Sequence, residues 1–379
     1  MTAAPDYAAL LAMWRSSRGR RPALLEDRKG VVLVGAGAVG RQFHLALTRS
    51  AIPVLTFADN SPSKWGTSLL GTSVISVEEA VRQCGGPALY LITIGRIGTG
   101  VAALREQLAR LGVADAVHFI DAIPRLPAVW REFFLDPDAF AEDGADRCAA
   151  AFRLFRDDTS RALFASHLRW RMTLDPSELP VPSYDNQYFV DGVVSPEQCR
   201  AFVDVGAYTG DSLEALAAFA GPALRTYHGY EPDALNFERL AAVARTIGAD
   251  RPDVQLTIDQ LAVGAQEGVL WFSNDGAATS HVGSGESAAQ VRCAALDELG
   301  VGHPSYVKID VEGAEDAVLR GAERTLRAAK PTIAIASYHR PADLFDLPLR
   351  LTMYAEDYRF FLRSHGDAGV DLVCYAVRP

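Results

Sequence analysis

The chain has 379 residues, 49% of them hydrophobic and 22% charged, with a formal net charge of −10 and five cysteines that form no CxxC pair. The length predicts two domains, the acidic balance argues against a broad nucleic-acid surface, and the scattered cysteines are typical of a reducing compartment. No apolar run reaches the ~18 residues of a membrane span, so we expect a cytoplasmic protein with no membrane span. We also expect no nucleic-acid partner. A homo-oligomer is compatible with the sequence.

Strands alternate with helical patterns in the first third of the chain. The predicted strands are apolar runs at residues 30–34, 54–58, 88–92 and 117–120. Helical patterns separate these runs, which predicts a parallel sheet with helices on both faces. We place an N-terminal Rossmann-like domain at residues 1–125.

The first of these strands runs into a glycine-rich turn, and the second ends at an acid, Asp59. In a dinucleotide-binding fold the glycines let a pyrophosphate approach the backbone, and the acid binds a ribose. The pattern predicts a site for NAD or a nucleotide-linked sugar at Gly35, Gly37, Gly40 and Asp59. The alternative is that the glycines only let the helix pack closely against the strand.

Residues 126–192 have a different pattern, with aromatic and arginine residues at helical spacing followed by a Pro-rich stretch. We interpret them as a helical connector that leads into an extended segment from Tyr184 to Val190. A second α/β domain is predicted at residues 193–379. Its strands are expected at residues 201–205, 227–230, 254–258, 305–309 and 332–336, with a closing pair at 358–364 and 370–377.

Two motifs of this second domain indicate a ligand site. The strand at 201–205 ends in a turn that contains Gly206 and Gly210, and the next strand ends in the acid Glu231. That spacing is typical of a site in which a carboxylate binds the two hydroxyls of a ribose. Further on, the strand at 305–309 runs into an acidic turn with Asp310, Glu312 and Glu315. Such a cluster of carboxylates is costly unless a polar or cationic group lies beside it.

These motifs, VDVGAYTGDS, GYEPDALNFERL and IDVEGAE, together resemble the FkbM family of S-adenosylmethionine-dependent methyltransferases over about residues 155–379. The resemblance implies a class I methyltransferase sheet of seven strands with an antiparallel last strand. It also implies S-adenosyl-L-methionine as the cofactor. The cofactor's methionine part would be held by Asp204, Gly206, Ala207 and Gly210, its ribose by Glu231, and its adenine by Gln260 and Leu261, with Asp310 near the methyl group.

Methyl transfer to a hydroxyl also requires that a proton be removed from the acceptor. Asp310 is placed near the reacting methyl group, and His339 lies at the end of the strand that begins at Thr332, at the same edge of the sheet. Because an imidazole ordinarily titrates near neutrality, His339 is the predicted general base. We expect no metal, although Asp310, Glu312 and His339 could instead bind a divalent ion.

The predicted activity is methylation of a hydroxyl group on a sugar or glycan, free or nucleotide-linked. The sugar preference depends on the N-terminal domain, which is similar to the small Rossmann-like domain that precedes some sugar-modifying acyltransferases. A natural-product hydroxyl is the second candidate acceptor. An enzyme with a second, NAD-dependent site and a non-catalytic binding module are further alternatives. We expect the loop at residues 277–285 to fold over the acceptor.

Overall fold

The computed structural model describes residues 4–17, 23–94, 99–122, 126, 140, 144–173, 176–183, 186–273, 288–366 and 369–378. The chain divides into two compact units. The N-terminal unit comprises Asp6–Ala141 and Ser166–Pro180, and the C-terminal unit comprises Met1–Pro5, Glu142–Ala165 and Val181–Pro379. These bounds divide the chain differently from the predicted boundaries after residues 125 and 192, which stay predictions.

The N-terminal unit is built on one largely parallel sheet. Its strands are β1 (Gly30–Val34), β2 (Val54–Ala58), β3 (Ser68–Leu69), β4 (Thr72–Ile75), β5 (Ala88–Ile92) and β6 (Val117–His118). Its helices are α1 (Tyr7–Ser17), α2 (Ala38–Arg49), α3 (Val77–Cys84), α4 (Thr99–Arg110) and α5 (Phe119–Ala122). The strand order is β3-β4-β2-β1-β5-β6, and all pairs are parallel except β3 with β4.

The central strands β1 and β5 are buried along their whole length. One face of the sheet packs on apolar residues of α3 and α4, such as Val77 and Leu108. Helix α2 also packs on β1 and buries Phe43 and Leu47. Strands buried on both faces have continuous apolar sequences, which is why their positions could be predicted. The predicted α/β fold with a parallel sheet is confirmed here.

Two local predictions for this unit differ from the structure. The strand expected at residues 117–120 stops at His118, because Phe119 and Ile120 form the start of α5. A short apolar run does not by itself distinguish a strand from a buried helical turn. The hairpin of β3 and β4 was not predicted, because both strands are too short to give a clear sequence pattern.

The chain continues with helices α6 (Gly144–Leu154) and α7 (Asp158–Thr173), and the boundary between the two units falls within α7. The further helices are α8 (Asp211–Ala220), α9 (Ala234–Asp250), α10 (Glu315–Gly321), α11 (Glu323–Ala329) and α12 (Asp343–Leu351). The remaining strands are β7 (Ala201–Val205), β8 (Thr226–Tyr230), β9 (Gln255–Asp259), β10 (Ala262–Gly264), β11 (Gly268–Ser273), β12 (Ala288–Ala295), β13 (Tyr306–Ile309), β14 (Thr332–Ala336), β15 (Arg359–Ser364) and β16 (Leu372–Val377).

The main sheet of the C-terminal unit has seven strands in the order β15-β16-β14-β13-β7-β8-β9. Strand β16 is antiparallel to both of its neighbours, and the pairs from β14 to β9 are parallel. This is the predicted class I methyltransferase arrangement, so the fold prediction is confirmed. The carboxyl ends of β7, β8, β13 and β14 meet at one edge, where ligands bind in open α/β sheets.

Aromatic rings form the core beneath this edge. Phe202 of β7 stacks on Tyr306 of β13 with ring centres 4.8 Å apart and on Tyr227 of β8 with ring centres 6.2 Å apart. All three residues are fully buried. Buried aromatic residues each remove a large apolar area from water, so this stack holds the three strands that carry the candidate site in fixed register.

Two further features differ from expectation. Residues 186–190 form a turn rather than an extended segment, because Asn186 (φ 56°) and Tyr188 (φ 71°) adopt the left-handed conformation. A separate sheet in the order β10-β12-β11 was not predicted. Among the residues that the structure describes, none of the helices combines the length and the apolar character that crossing a bilayer would require.

Candidate active site

The turn after β7 requires glycine because it packs against the chain's own backbone. Gly206 (φ 84°) and Gly210 (φ 91°) adopt the left-handed conformation. A Cβ atom on Gly206 would lie 1.9 Å from the carbonyl oxygen of Asp310, and one on Gly210 would lie 3.0 Å from Val243. Ala207 between them is fully buried and donates its N–H to Tyr230. The turn is therefore held directly against the start of the acidic segment at Asp310.

Asp204 lies just before this turn, but its carboxylate is buried within the protein. Its Oδ2 accepts hydrogen bonds from the hydroxyls of Ser212 at 2.5 Å and Tyr227 at 3.0 Å. Its Oδ1 lies 3.1 Å from Nζ of Lys308, which also donates to the carbonyl of Gly206. The carboxylate thus holds the lysine that fixes the turn. Its predicted contact with the methionine part of the cofactor stays a prediction, and this packing does not favour it.

Glu231 follows β8 and is only 5% exposed. Its Oε2 accepts the N–H of Tyr208, within the glycine turn, at 2.8 Å, and its Oε1 accepts the N–H of Asp233 at 2.9 Å. Burial raises the pKa of Glu231 to about 7, although these two hydrogen bonds act in the opposite direction. The glycine turn and the acid that were predicted to share a ligand therefore lie within hydrogen-bond distance of each other.

Gln260 and Leu261 follow β9 at the same edge of the sheet. Gln260 is exposed, with its side-chain nitrogen 3.5 Å from the carbonyl oxygen of Pro232, whereas Leu261 is buried. An apolar side chain beside an exposed amide is a suitable wall for an adenine ring, which has an apolar face and polar edges. Their contact with adenine stays a prediction.

A cluster of acids surrounds His339, just after β14. The side chain of His339 is 5% exposed, and its Nδ1 lies 2.7 Å from Oε1 of Glu315. Its Nε2 lies 3.6 Å from Oδ1 of Asp310 and 3.4 Å from Oε2 of Glu312. The structure thus brings both predicted catalytic residues, Asp310 and His339, to one place.

The electrostatics of this cluster differ from the expected ones. Burial by itself lowers the pKa of His339, but Glu315, Asp310 and Glu312 outweigh it and raise the pKa to about 10. Burial also raises the pKa of Glu312 to about 8. His339 therefore holds its proton more firmly than the ordinary imidazole on which its predicted role as general base rests, and that role stays a prediction.

Glu315 also binds the acidic turn itself. Its Oε1 accepts N–H groups from Val311 at 3.1 Å and Gly313 at 3.3 Å. Glu312 between them adopts the left-handed conformation (φ 55°). Potential ligand atoms of Asp310, Glu315 and His339 lie within 4.8 Å of one another. This spacing is compatible with a divalent ion, so the alternative that names Asp310, Glu312 and His339 stays open.

Sequence reasoning missed two residues of this site. Tyr188 donates its hydroxyl to Oδ2 of Asp310 at 2.6 Å, and its ring lies 5.2 Å from Nζ of Lys308. Lys308 pairs with Asp204, as described above. A signal for Lys308 was present, because a lysine between Val307 and Ile309 in a buried strand needs a charged partner. Tyr188 gave no comparable signal, since its neighbours come from distant parts of the sequence.

The predicted nucleotide site of the N-terminal unit has a related geometry. Asp59 accepts the N–H of Ala36, in the glycine turn, at 2.8 Å, and it pairs with Lys64 at 2.8 Å. A Cβ atom on Gly40 would lie 2.1 Å from the carbonyl oxygen of Gly35, whereas one on Gly37 would meet nothing within 4 Å. Close packing therefore explains why Gly40 must be a glycine, but it does not explain the glycine at Gly37. The loop at residues 277–285 lies outside the described residues.

Residues 204–367 match the model of the family described as Methyltransferase FkbM domain. This part of the chain is therefore similar to the FkbM methyltransferase domain. The match begins at Asp204 and so does not extend to the N-terminal unit, whose Rossmann-like assignment it does not confirm. No curated protein matches the sequence significantly.

One solved methyltransferase structure is similar in fold, and two others match only weakly. Methyltransferase FkbM from Methylobacillus flagellatus KT has a TM-score of 0.71 and 20% identity, covering 98% of this chain and 100% of that chain. Fibrillarin from Aeropyrum pernix, in complex with S-adenosyl-L-methionine, has a TM-score of 0.32 and 13% identity, covering 48% and 69%. A putative rRNA methylase from Clostridium thermocellum has a TM-score of 0.33 and 9% identity, covering 53% and 99%. The first match shows that the two proteins share a fold. The TM-scores of the other two are too low to show a shared fold.

Proposed function

We propose that the chain is an S-adenosyl-L-methionine-dependent O-methyltransferase that acts on a hydroxyl group of a sugar or glycan. The observation that carries this proposal is the meeting of Glu231 with the glycine turn, at the sheet edge that also carries Asp310 and His339. The part of this edge around Glu231 suits a ribose. The part around Asp310 and His339 suits a cation that reacts with a hydroxyl.

The donor set of the site fits this cofactor. Glu231 is a buried carboxylate whose pKa is raised, so it gains from hydroxyl donors such as those of a ribose. Asp310 and Glu315 outnumber the single imidazole beside them, which favours a positively charged sulfonium. When bound, the cofactor supplies a methyl group on that charged sulfur. Gly206, Ala207 and Gly210 would hold its methionine part, and Gln260 and Leu261 its adenine.

The proton of the acceptor hydroxyl needs a base within hydrogen-bond reach. Because the neighbouring acids raise the pKa of His339 above its ordinary value despite its burial, it is a poor proton acceptor at neutral pH, and we assign this task to the carboxylate of Asp310. The hydroxyl of Tyr188 holds Oδ2 of Asp310 at 2.6 Å, which orients the other oxygen. His339 lies 3.6 Å from that oxygen, Oδ1, and balances the charge of the cluster.

Transfer of labelled methyl groups from the cofactor to a panel of sugars, nucleotide-linked sugars and glycans tests the function. We expect Asp310→Asn to slow transfer roughly 10²–10⁴-fold, the usual contribution of a general base. Affinity for S-adenosylhomocysteine should be retained. His339→Ala should also slow transfer with little effect on this affinity.

Asp357→Asn is the matched control, because Asp357 is an exposed acid of the same unit that pairs with Arg378. This variant should transfer methyl groups at the wild-type rate. A full rate in Asp310→Asn would show that Asp310 is not the base. A full rate in His339→Ala would show that His339 takes no part in the transfer. Absence of transfer from the cofactor to any member of the panel, together with no binding of S-adenosylhomocysteine, would contradict the function.

The preference for a sugar is supported by the nucleotide-type turn of the N-terminal unit, since an activated sugar carries a nucleotide. A natural-product hydroxyl is the second candidate acceptor. Adding aromatic and aliphatic alcohols to the same panel separates the two. Transfer to those alcohols alone would contradict the sugar assignment while leaving O-methylation in place.

A further inference from the structure

The acid of the N-terminal unit is held in the same way as the acid of the C-terminal unit. Asp59 accepts the N–H of Ala36, 23 residues earlier, at 2.8 Å, and the N–H of Ser61, two residues later, at 2.9 Å. Glu231 accepts the N–H of Tyr208, also 23 residues earlier, at 2.8 Å, and that of Asp233, also two residues later, at 2.9 Å. In each unit, one donor belongs to the glycine turn after a strand and the acid follows the neighbouring strand.

A cavity of about 370 Å³ opens beside Asp59. Its walls include apolar side chains from the ends of strands and from α3 and α4, namely Val34, Ala58, Val77, Ile94 and Leu104. The polar and charged residues that line it are Asp59, Asn60, Gln107 and Arg110. Sites for small molecules are commonly clefts of about 300–1,000 Å³ with mostly apolar walls and a few polar groups, so this cavity can hold a single planar base.

We propose that the N-terminal unit binds a ribonucleoside, with the base in this cavity and the ribose hydroxyls on Asp59. An ionised carboxylate has about four acceptor positions, and the N–H groups of Ala36 and Ser61 and the ammonium of Lys64 use three of them. One position is left for a hydroxyl. Lys64 is 42% exposed, and an ion pair with such a side chain is weak, so a ligand can displace it.

This second site does not depend on the methyl transfer proposed for the C-terminal unit. Two kinds of molecule share the required chemistry, a nucleoside diphosphate that carries a sugar and a dinucleotide such as NAD. Calorimetric titration of the full-length protein with UDP, GDP, ADP and NAD distinguishes these sources. Saturating S-adenosylhomocysteine is added to occupy the other unit.

We expect at least one of these ribonucleotides to bind, and its 2′,3′-dideoxy analogue to bind at least tenfold more weakly. Asp59→Ala should lower the affinity at least tenfold, and Glu231→Ala should leave it unchanged. If S-adenosylhomocysteine fails to bind, the proposed methyl transfer is in doubt, but these two variants still assign the ribonucleotide to one unit or the other.

Two substitutions on α4 give a steric test with a matched control. Ala103 lines the cavity and is exposed, so Ala103→Trp should fill the cavity without disturbing the core and should abolish ribonucleotide binding. Ala102 is also exposed on α4 but is not among the lining residues, so Ala102→Trp should bind like the wild type. Failure of all four ribonucleotides to bind would overturn the inference, as would equal binding by the two tryptophan variants.

Discussion

Glu231 and Asp59 occupy matching positions in their two sheets but differ in their electrostatic surroundings. Burial raises the pKa of Glu231 to about 7. Burial would also raise the pKa of Asp59, but Lys64 and the N–H groups of Ser61 and Ala36 outweigh it and lower that pKa. The comparison shows that the sheet topology fixes where the acid lies, whereas the neighbouring side chains decide how readily it is ionised.

The glycine turns that face these acids differ as well. Gly206 is needed because a Cβ atom there would collide with the carbonyl oxygen of Asp310, whereas a Cβ atom on Gly37 would meet nothing within 4 Å. The turn of the C-terminal unit is therefore part of a packed structure, and the turn of the N-terminal unit keeps room at Gly37. Substitutions in the two units should therefore show that packing requires the glycine in the C-terminal turn and does not require Gly37 in the N-terminal turn.

The largest expected effect comes from Gly206→Ala. A left-handed alanine costs about 1–2 kcal/mol, and a Cβ atom 1.9 Å from a carbonyl oxygen forces the backbone to move as well. We expect Gly206→Ala to lower the free energy of unfolding by more than about 3 kcal/mol, and Gly37→Ala to change it by less than about 1 kcal/mol. Urea denaturation measures both, and equal losses in the two variants would refute the proposed difference between the turns.

The two acids should affect stability with opposite pH dependence. The pKa of Glu231 is about 7 in the folded protein against 4.5 ordinarily, so the folded state binds a proton more tightly than the unfolded state. Its contribution to stability is full below pH 4.5 and is lost as the pH rises through about 7, a change of roughly 3 kcal/mol. The pKa of Asp59 is below 3.8, so its contribution is present above that pH and is lost as the pH falls.

Urea midpoints of the wild type, Glu231→Gln and Asp59→Asn between pH 3 and pH 8 would check these signs. The wild type should lose stability relative to Glu231→Gln as the pH rises from 4.5 to 7. Relative to Asp59→Asn it should lose stability only at the acidic end. If both differences changed in the same direction, the contrast between the two acids would be incorrect.

Cofactor affinity should depend on only one of the two acids. Glu231→Ala removes the carboxylate that we assign to the ribose and should weaken binding of S-adenosylhomocysteine by roughly 1–3 kcal/mol. Asp59→Ala removes the matching acid of the other unit and should leave this affinity unchanged. Calorimetry on both variants measures the effect, and an equal loss in the two would show that the cofactor is not confined to the C-terminal unit.

Much of the fold could be predicted because the central strands are apolar along their whole length. The strands at Ala201–Val205 and Thr332–Ala336 have the expected bounds, and each is followed by a residue of the candidate site. The errors fall where local sequence is ambiguous. Phe119 and Ile120 suit a helix as well as a strand, and the turn at Tyr188 depends on contacts with residues far along the chain.

The position of the candidate site was also accessible from sequence, since residues that follow parallel strands meet at one edge of the sheet. The electrostatics of the site could not be predicted from the sequence. Despite its burial, the pKa of His339 is raised, because Glu315, 24 residues away in sequence, lies 2.7 Å from its ring. Asp204 is engaged by Lys308, which comes more than a hundred residues later. Such pairings depend on side-chain packing, which periodicity and motif spacing do not specify.

The smallest expected effect concerns Lys64, which pairs with Asp59 at 2.8 Å. Because 42% of this lysine side chain is exposed, water and salt screen the pair, and Lys64→Ala should lower the free energy of unfolding by less than about 1 kcal/mol. The loss should disappear in 1 M salt and in the background of Asp59→Asn, where the carboxylate is absent. Removing the lysine also frees one acceptor position on Asp59, so ribonucleotide affinity should be kept or increased. A loss of that affinity in Lys64→Ala would mean that the lysine, and not the carboxylate alone, contacts the ligand.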